Sequence, residues 1–166
     1  MKKILLLTAG FGEGHNAAAR AVAEALHAHA GADAAEVVDA FALASPRLNA
    51  VSRRAYLGLI NRAPRLWSAF YAWIDRSTVL PRHVWLLRGA TRALADVIAR
   101  EQPLALCSTY PVYAFLLAEL RRTPGLHVPH YSVVTDSISL NSLWWRAGAD
   151  GWFLPNDDSS RVLVHA

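Results

Sequence analysis

The sequence predicts a doubly wound, parallel α/β domain of Rossmann-like type, and three observations predict it. Apolar runs of strand length recur without polar alternation, as in strands buried on both faces. Helix-length segments separate them, the pattern that crossovers between parallel strands require. A glycine-rich loop, Gly10-Phe11-Gly12-Glu13-Gly14, joins the first run to the first helix, where open α/β sheets place ligands.

Each element has its own reason. Lys3 to Ala9 is a continuous apolar run and reads as the first strand. His15 to Ala30 is alanine-rich, free of proline and glycine, and reads as a helix. Glu36 to Asp39 is a short second strand. Helices occupy Arg47 to Arg100, broken at Pro64 and restarted near Pro81, since proline is favoured at a first helical position. Leu104 to Ser108, Pro129 to Thr135 and Gly151 to Leu154 are the remaining strands, with a helix over Pro111 to Arg122. Asn156 is placed as an N-cap, with Asp157 and Asp158 at the positive end of a last helix. The chain stops about two turns into that helix, which leads us to expect the first domain of a longer protein.

Composition narrows the function classes. At 166 residues and 54% apolar content the chain is one domain with an ample core. A single cysteine, Cys107, excludes an intrachain disulfide framework. His27 and His29 point to different faces of one helix, and His127 and His130 flank a proline, so no metal-ligand spacing is present and no metal is expected. The apolar run after Met1-Lys2-Lys3 is too short for a secretory signal, no stretch would make a membrane span, and cytoplasmic is the expected location. Charge is uneven: Arg47 to Arg92 holds nine arginines and one acid, Asp75, while the remainder carries 8 basic and 12 acidic residues.

The loop carries the chemistry. Glycines let a backbone approach a ligand, and a helix amino terminus favours a phosphate or a polarised oxygen. The third glycine of the dinucleotide fingerprint is replaced by His15, and no Gly-Lys-Ser/Thr of a P-loop follows. The helix dipole favours neutral His15, able to accept a proton. Two other strand ends converge there: Ser108-Thr109-Tyr110-Pro111 and Thr135-Asp136-Ser137, with Asp136 placed to orient an imidazole or bind a substrate hydroxyl. Asp or Thr after a strand is also a common helix cap.

The stretch Lys3 to His15, followed by Asn16-Ala17-Ala18-Ala19-Arg20-Ala21, resembles the amino terminus of monogalactosyldiacylglycerol synthases and bacterial diacylglycerol glucosyltransferases. Ser108-Thr109-Tyr110-Pro111, Val134-Thr135-Asp136 and Asp150 to Asn156 resemble that family's later landmarks, in order. The resemblance implies the amino-terminal half of a GT-B glycosyltransferase, more distantly related to the peptidoglycan N-acetylglucosaminyltransferase. Residues 1–155 would form the acceptor-side domain and 156–166 would begin a connecting helix, with the domain holding a UDP-sugar outside this chain. It implies His15 as general base in an inverting transfer of a hexose to diacylglycerol or a related lipid, and no cofactor or metal in this half. Gly12 and Gly14 would give acceptor and diphosphate room, while Thr109, Tyr110, Thr135, Asn141 and Trp144 fall at substrate-binding positions. Asn141 stands near where relatives often carry histidine, and Tyr110 where they commonly carry another.

The arginine-rich segment points to a membrane. Trp67, Phe70, Tyr71 and Ile74 fall at i, i+3, i+4 and i+7, and with Arg62 and Arg65 they suit an anionic lipid surface on the inner face of the cell membrane. Packing of that stripe on the sheet is the competing expectation. Nucleic acid is not expected, since lysine is scarce and no recognition motif is present. Two other readings stay open: a nucleotide-dependent oxidoreductase with Asp39 on a ribose, and a non-catalytic anionic-lipid-binding module.

Overall fold

The computed structural model describes residues 2–76, 83–122, 127–136 and 140–164. Five parallel strands form one sheet in the order β2-β1-β3-β4-β5. They are β1 Ile4–Leu7, β2 Ala35–Val38, β3 Ala105–Ser108, β4 His130–Val133 and β5 Gly151–Phe153. The helices are α1 Glu13–Ala30, α2 Ala40–Ala44, α3 Pro46–Arg62, α4 Pro64–Arg76, α5 Arg88–Glu101, α6 Val112–Leu120 and α7 Asp157–Val164. Short 3-10 turns cover Val84–Leu87 and Ser142–Trp144.

The pleat sends alternate residues to opposite faces, and both faces are covered. Leu5 and Leu7 of β1 and Leu106 of β3 pack with Leu94, Val97 and Ile98 of α5 and with Phe115 and Leu116 of α6. Leu6 and Cys107 point the other way, against Ala19 and Ala23 of α1. Burial on both sides is why these strands carry no polar alternation.

Strand order reverses direction between β1 and β3, and the loops leaving these two strands therefore diverge. The crevice of an open α/β sheet lies at that point. The glycine loop and Thr109 flank it.

Several boundaries differ from expectation. Helix α1 starts at Glu13 rather than His15, with Gly12 extended at the N-cap, so His15 is its third residue. Asp39 does not end the second strand: its Oδ1 accepts from the amides of Phe41 and Ala42 at 3.0 Å and caps the unforeseen helix α2. The break at Pro64 is present, with Ala63 between α3 and α4. The restart near Pro81 lies outside the described residues. Asn156 Oδ1 accepts from Ser159 N at 2.9 Å at the start of α7.

Candidate active site

Two strand-end segments hold His15. Its Nδ1 lies 2.6 Å from the Thr109 carbonyl oxygen after β3 and 3.0 Å from Thr135 Oγ1 after β4. Thr109 closes the clasp from its side chain, donating to the His15 carbonyl at 3.0 Å. A carbonyl only accepts, so Nδ1 carries the ring proton and Nε2 keeps the lone pair. Carbon Cδ2, bonded to Nε2, lies 3.6 Å from where a methyl on Gly12 would stand. The Cδ2 edge of the ring thus borders the glycine loop.

His15 is half-buried. Burial holds its pKa below the ordinary imidazole value, opposed by the hydrogen bond to Thr109 and the Asp136 carboxylate. The resting ring is neutral at pH 7. The same carboxylate favours the imidazolium once a proton arrives.

The loop is latched rather than free. Gly10 N donates to Asp39 Oδ2 at 3.0 Å, and Thr8 Oγ1 donates to Asn16 Oδ1 at 2.9 Å. Both Asp39 oxygens therefore serve the fold, one on α2 and one on the loop. This removes the acidic residue that the oxidoreductase reading assigned to a ribose. A methyl on Gly14 would meet nothing within 4 Å, so the first turn of α1 faces open space there.

The remaining predicted residues stand behind the imidazole. Trp144 is 1% exposed, its ring centroid 6.4 Å from that of His15, and its Nε1 donates to Asp136 Oδ2 at 3.0 Å. Asn141 is buried, with Oδ1 accepting from Leu143 N at 3.0 Å as the cap of a 3-10 turn. Side chains this enclosed fix Asp136 and the backbone; in this conformation they offer no surface to a ligand. Tyr110 sets its ring edge-on to His15 at 5.1 Å and to Phe41 at 5.9 Å, and burial drives its phenol far above the usual value. Asp136 acts on His15 through charge, while Nδ1 is held by Thr109 and Thr135.

Sequence reasoning missed the roof of the loop. Asn49, Arg53 and Tyr56 lie at i, i+4 and i+7 on α3, a spacing that signals one polar face. Methyls on Gly10 would lie 3.8 Å from Asn49 Nδ2 and 4.0 Å from Arg53 Cδ, and one on Gly12 would lie 3.8 Å from Tyr56 Oη. The phenol and the His15 ring border one space.

On α4, Leu66, Phe70 and Trp73 are exposed at i, i+4 and i+7, with the Phe70 and Trp73 rings stacked at 5.9 Å. Arg62 and Arg65 are exposed beside them. The expected stripe differs by face: Phe70 belongs to the solvent side, and the side chains of Trp67, Tyr71 and Ile74 lie outside the described residues. Among the described residues no helix is long and apolar enough to cross a membrane, and no group of three or more metal-ligating side chains is present.

A parallel α/β sheet with an imidazole clasped at its switch point defines a Rossmann-like α/β domain with a candidate catalytic site. The family model for monogalactosyldiacylglycerol (MGDG) synthase matches residues 15–166, and the chain belongs to that family. Curated relatives named processive diacylglycerol beta-glucosyltransferase agree over 162 residues, 98% of this chain. That of Bacillus cytotoxicus is 26% identical, and those of Bacillus mycoides and Bacillus cereus are 25% identical. The chain spans 41% of the length of these relatives. No solved structure matches.

Proposed function

We propose that this chain is the acceptor-side domain of an enzyme that transfers a hexose from a UDP-sugar to diacylglycerol or a closely related lipid, with inversion. The observation that carries the reading is the pinned tautomer of His15. With Nδ1–H held by Thr109 and Cδ2 bordering the glycine loop, the free lone pair is that of Nε2. It takes the proton of the acceptor hydroxyl as that oxygen attacks the anomeric carbon from the face opposite the diphosphate. The bond from that carbon to the diphosphate oxygen breaks, and UDP leaves with the electron pair. Asp136 stabilises the imidazolium formed. The open space at Gly14 lets the donor diphosphate approach the first-turn amides of α1. The donor's nucleoside would be held by the remaining part of a longer protein, in keeping with the 41% coverage of the relatives.

The lipid would be met at a membrane surface on the cytoplasmic side. Arg47, Arg54 and Arg62 share the outer side of α3, opposite the polar face that roofs the loop. On α4 the exposed Leu66, Phe70 and Trp73 add apolar side chains. Cations for lipid phosphate and rings for the headgroup boundary are the composition of an interfacial helix pair. The test is incubation of the full-length protein with UDP-glucose or UDP-galactose and diacylglycerol in mixed micelles. A β-linked hexosyl-diacylglycerol is expected. Absence of any glycolipid product, with the protein folded and both donors tried, would overturn the reading.

A further inference from the structure

The arginine-rich segment holds a single acid, Asp75, and its carboxylate does not serve the arginines around it. Among the described residues it forms no ion pair. From the last turn of α4 it reaches the 3-10 turn Ser142–Trp144 instead. Asp75 Oδ1 accepts from the Ser142 amide at 2.7 Å, and the Asp75 carbonyl accepts from Ser142 Oγ at 2.9 Å and from the Arg146 guanidinium. The leading amides of a helical turn have no partner within it. Asn141 Oδ1 takes that of Leu143 at 3.0 Å, and Asp75 takes that of Ser142.

The turn ends on a residue that reaches the active site. Trp144 Nε1 donates to Asp136 Oδ2 at 3.0 Å, and the Asp136 carboxylate favours the His15 imidazolium. The other titratable and charged groups near the ring come from several elements. Tyr110 after β3 and Tyr56 on α3 stay neutral at pH 7, their phenols raised by burial. Glu13 of α1 is bound by Arg20 at 3.1 Å. Across the glycine loop lie Arg53 of α3 and Asp39, whose oxygens hold the Gly10, Phe41 and Ala42 amides. Of all these, the Asp136 carboxylate is the charge that acts on the imidazole. Such an interaction weakens with distance and with access of water, so its strength depends on where Asp136 is held.

We infer that Asp75 is a positioning residue of the active site: by anchoring the Ser142–Trp144 turn it fixes the Asp136 carboxylate in its place relative to the His15 imidazole. Asp75 touches no reacting atom and acts through Trp144. The assignment rests on the proposed function in one respect, that His15 is the base. It gives the lone acid of the segment a task, and it ties α4, which exposes Phe70 and Trp73, to the proton acceptor.

The test is the pKa of His15 in the full-length protein, read from nitrogen-15 spectra with its signal assigned by the loss in His15→Gln. Asp75→Ala is expected to lower that pKa by about half the shift that Asp136→Asn causes, because the carboxylate is loosened rather than removed. Asp75→Asn discards the charge and keeps the accepting oxygen, so it should restore the wild-type value. Ser142→Pro does the reverse, removing the amide and keeping the charge. Asn141 already has the extended backbone that a following proline requires, with φ −73° and ψ 139°, so the turn can accept the change. It should lower the pKa as Asp75→Ala does. In Asp75→Ala/Asp136→Asn the value should match that of Asp136→Asn alone, since both act through one carboxylate. Additive shifts, equal shifts in Asp75→Ala and Asp75→Asn, or an unchanged or raised pKa in Asp75→Ala or Ser142→Pro would each overturn the inference. The titration needs no turnover. The expected pattern in a protein that makes no glycolipid would sink the transfer reading and leave Asp75 its role. Hexose transfer without the pattern would sink the role alone.

Discussion

Replacing Thr135 by valine tests how the imidazole is held. Valine keeps the shape of threonine and removes only the hydroxyl that sits 3.0 Å from His15 Nδ1, leaving the Thr109 carbonyl at 2.6 Å as the remaining anchor. The shorter bond fixes the tautomer, so the proton stays on Nδ1 in the variant. What is lost is one neutral hydrogen bond in a half-buried setting, a net ~1 kcal/mol, or about fivefold in rate. The assay is steady-state transfer by the full-length protein, with kcat and the acceptor KM measured separately. A second readout is the nitrogen-15 spectrum of His15, which reports the tautomer without turnover. We expect kcat about fivefold lower, the acceptor KM within twofold, and the Nδ1–H tautomer unchanged. A loss of a hundredfold or more would place Thr135 in the chemistry. A raised acceptor KM with intact kcat would make it a substrate contact, and a switch to Nε2–H would refute the carbonyl anchor.

Three further outcomes follow from the same geometry. Asp136 raises the pKa of His15, so Asp136→Asn should lower it further, moving the acid limb of kcat/KM to lower pH while reducing the plateau; a shift to higher pH would contradict this. Neutralising Arg62 and Arg65 together as glutamine should weaken binding to anionic vesicles by roughly thirtyfold at low salt and by little at high salt, read by co-sedimentation. His130 is 1% exposed, hydrogen-bonded through Nε2 to Ser108 Oγ at 2.8 Å, and pushed down to about 4, first by burial and then by the Arg121 charge. Its folded pKa lies below the unfolded value, so the unfolded chain binds the proton first. Stability is full above about pH 6.5 and should fall by about 3 kcal/mol between pH 6.5 and 4, a component that His130→Gln removes from denaturant titrations.

Much of the scaffold was legible because burial on both faces leaves an unambiguous mark. Leu5, Leu6 and Leu7 are all fully buried, although the pleat turns Leu6 away from its neighbours, and only an unbroken apolar run satisfies both sides. Boundaries were less legible. Asp39 ends an apolar run and so read as a strand end, but its carboxylate finds three backbone amides and starts α2. The place of His15 beside the glycine loop could be read from the sequence. The manner of its support could not, because the Thr109 carbonyl reaches Nδ1 only through the pairing of β1 beside β3. Periodicity on α4 showed that an apolar face exists without showing which way it turns. Leu66 and Trp73 are exposed with Phe70, a fact set by how α4 seats on Ser142, whose amide donates to Asp75 Oδ1 at 2.7 Å.

Substitution of His15 by alanine, measured as the rate of hexose transfer to diacylglycerol by the full-length protein, bears most directly on Nε2 as the proton acceptor. A drop of at least ~10² in kcat, with the donor KM little changed and the fold intact, is the predicted result. Near-normal turnover in that variant would contradict it.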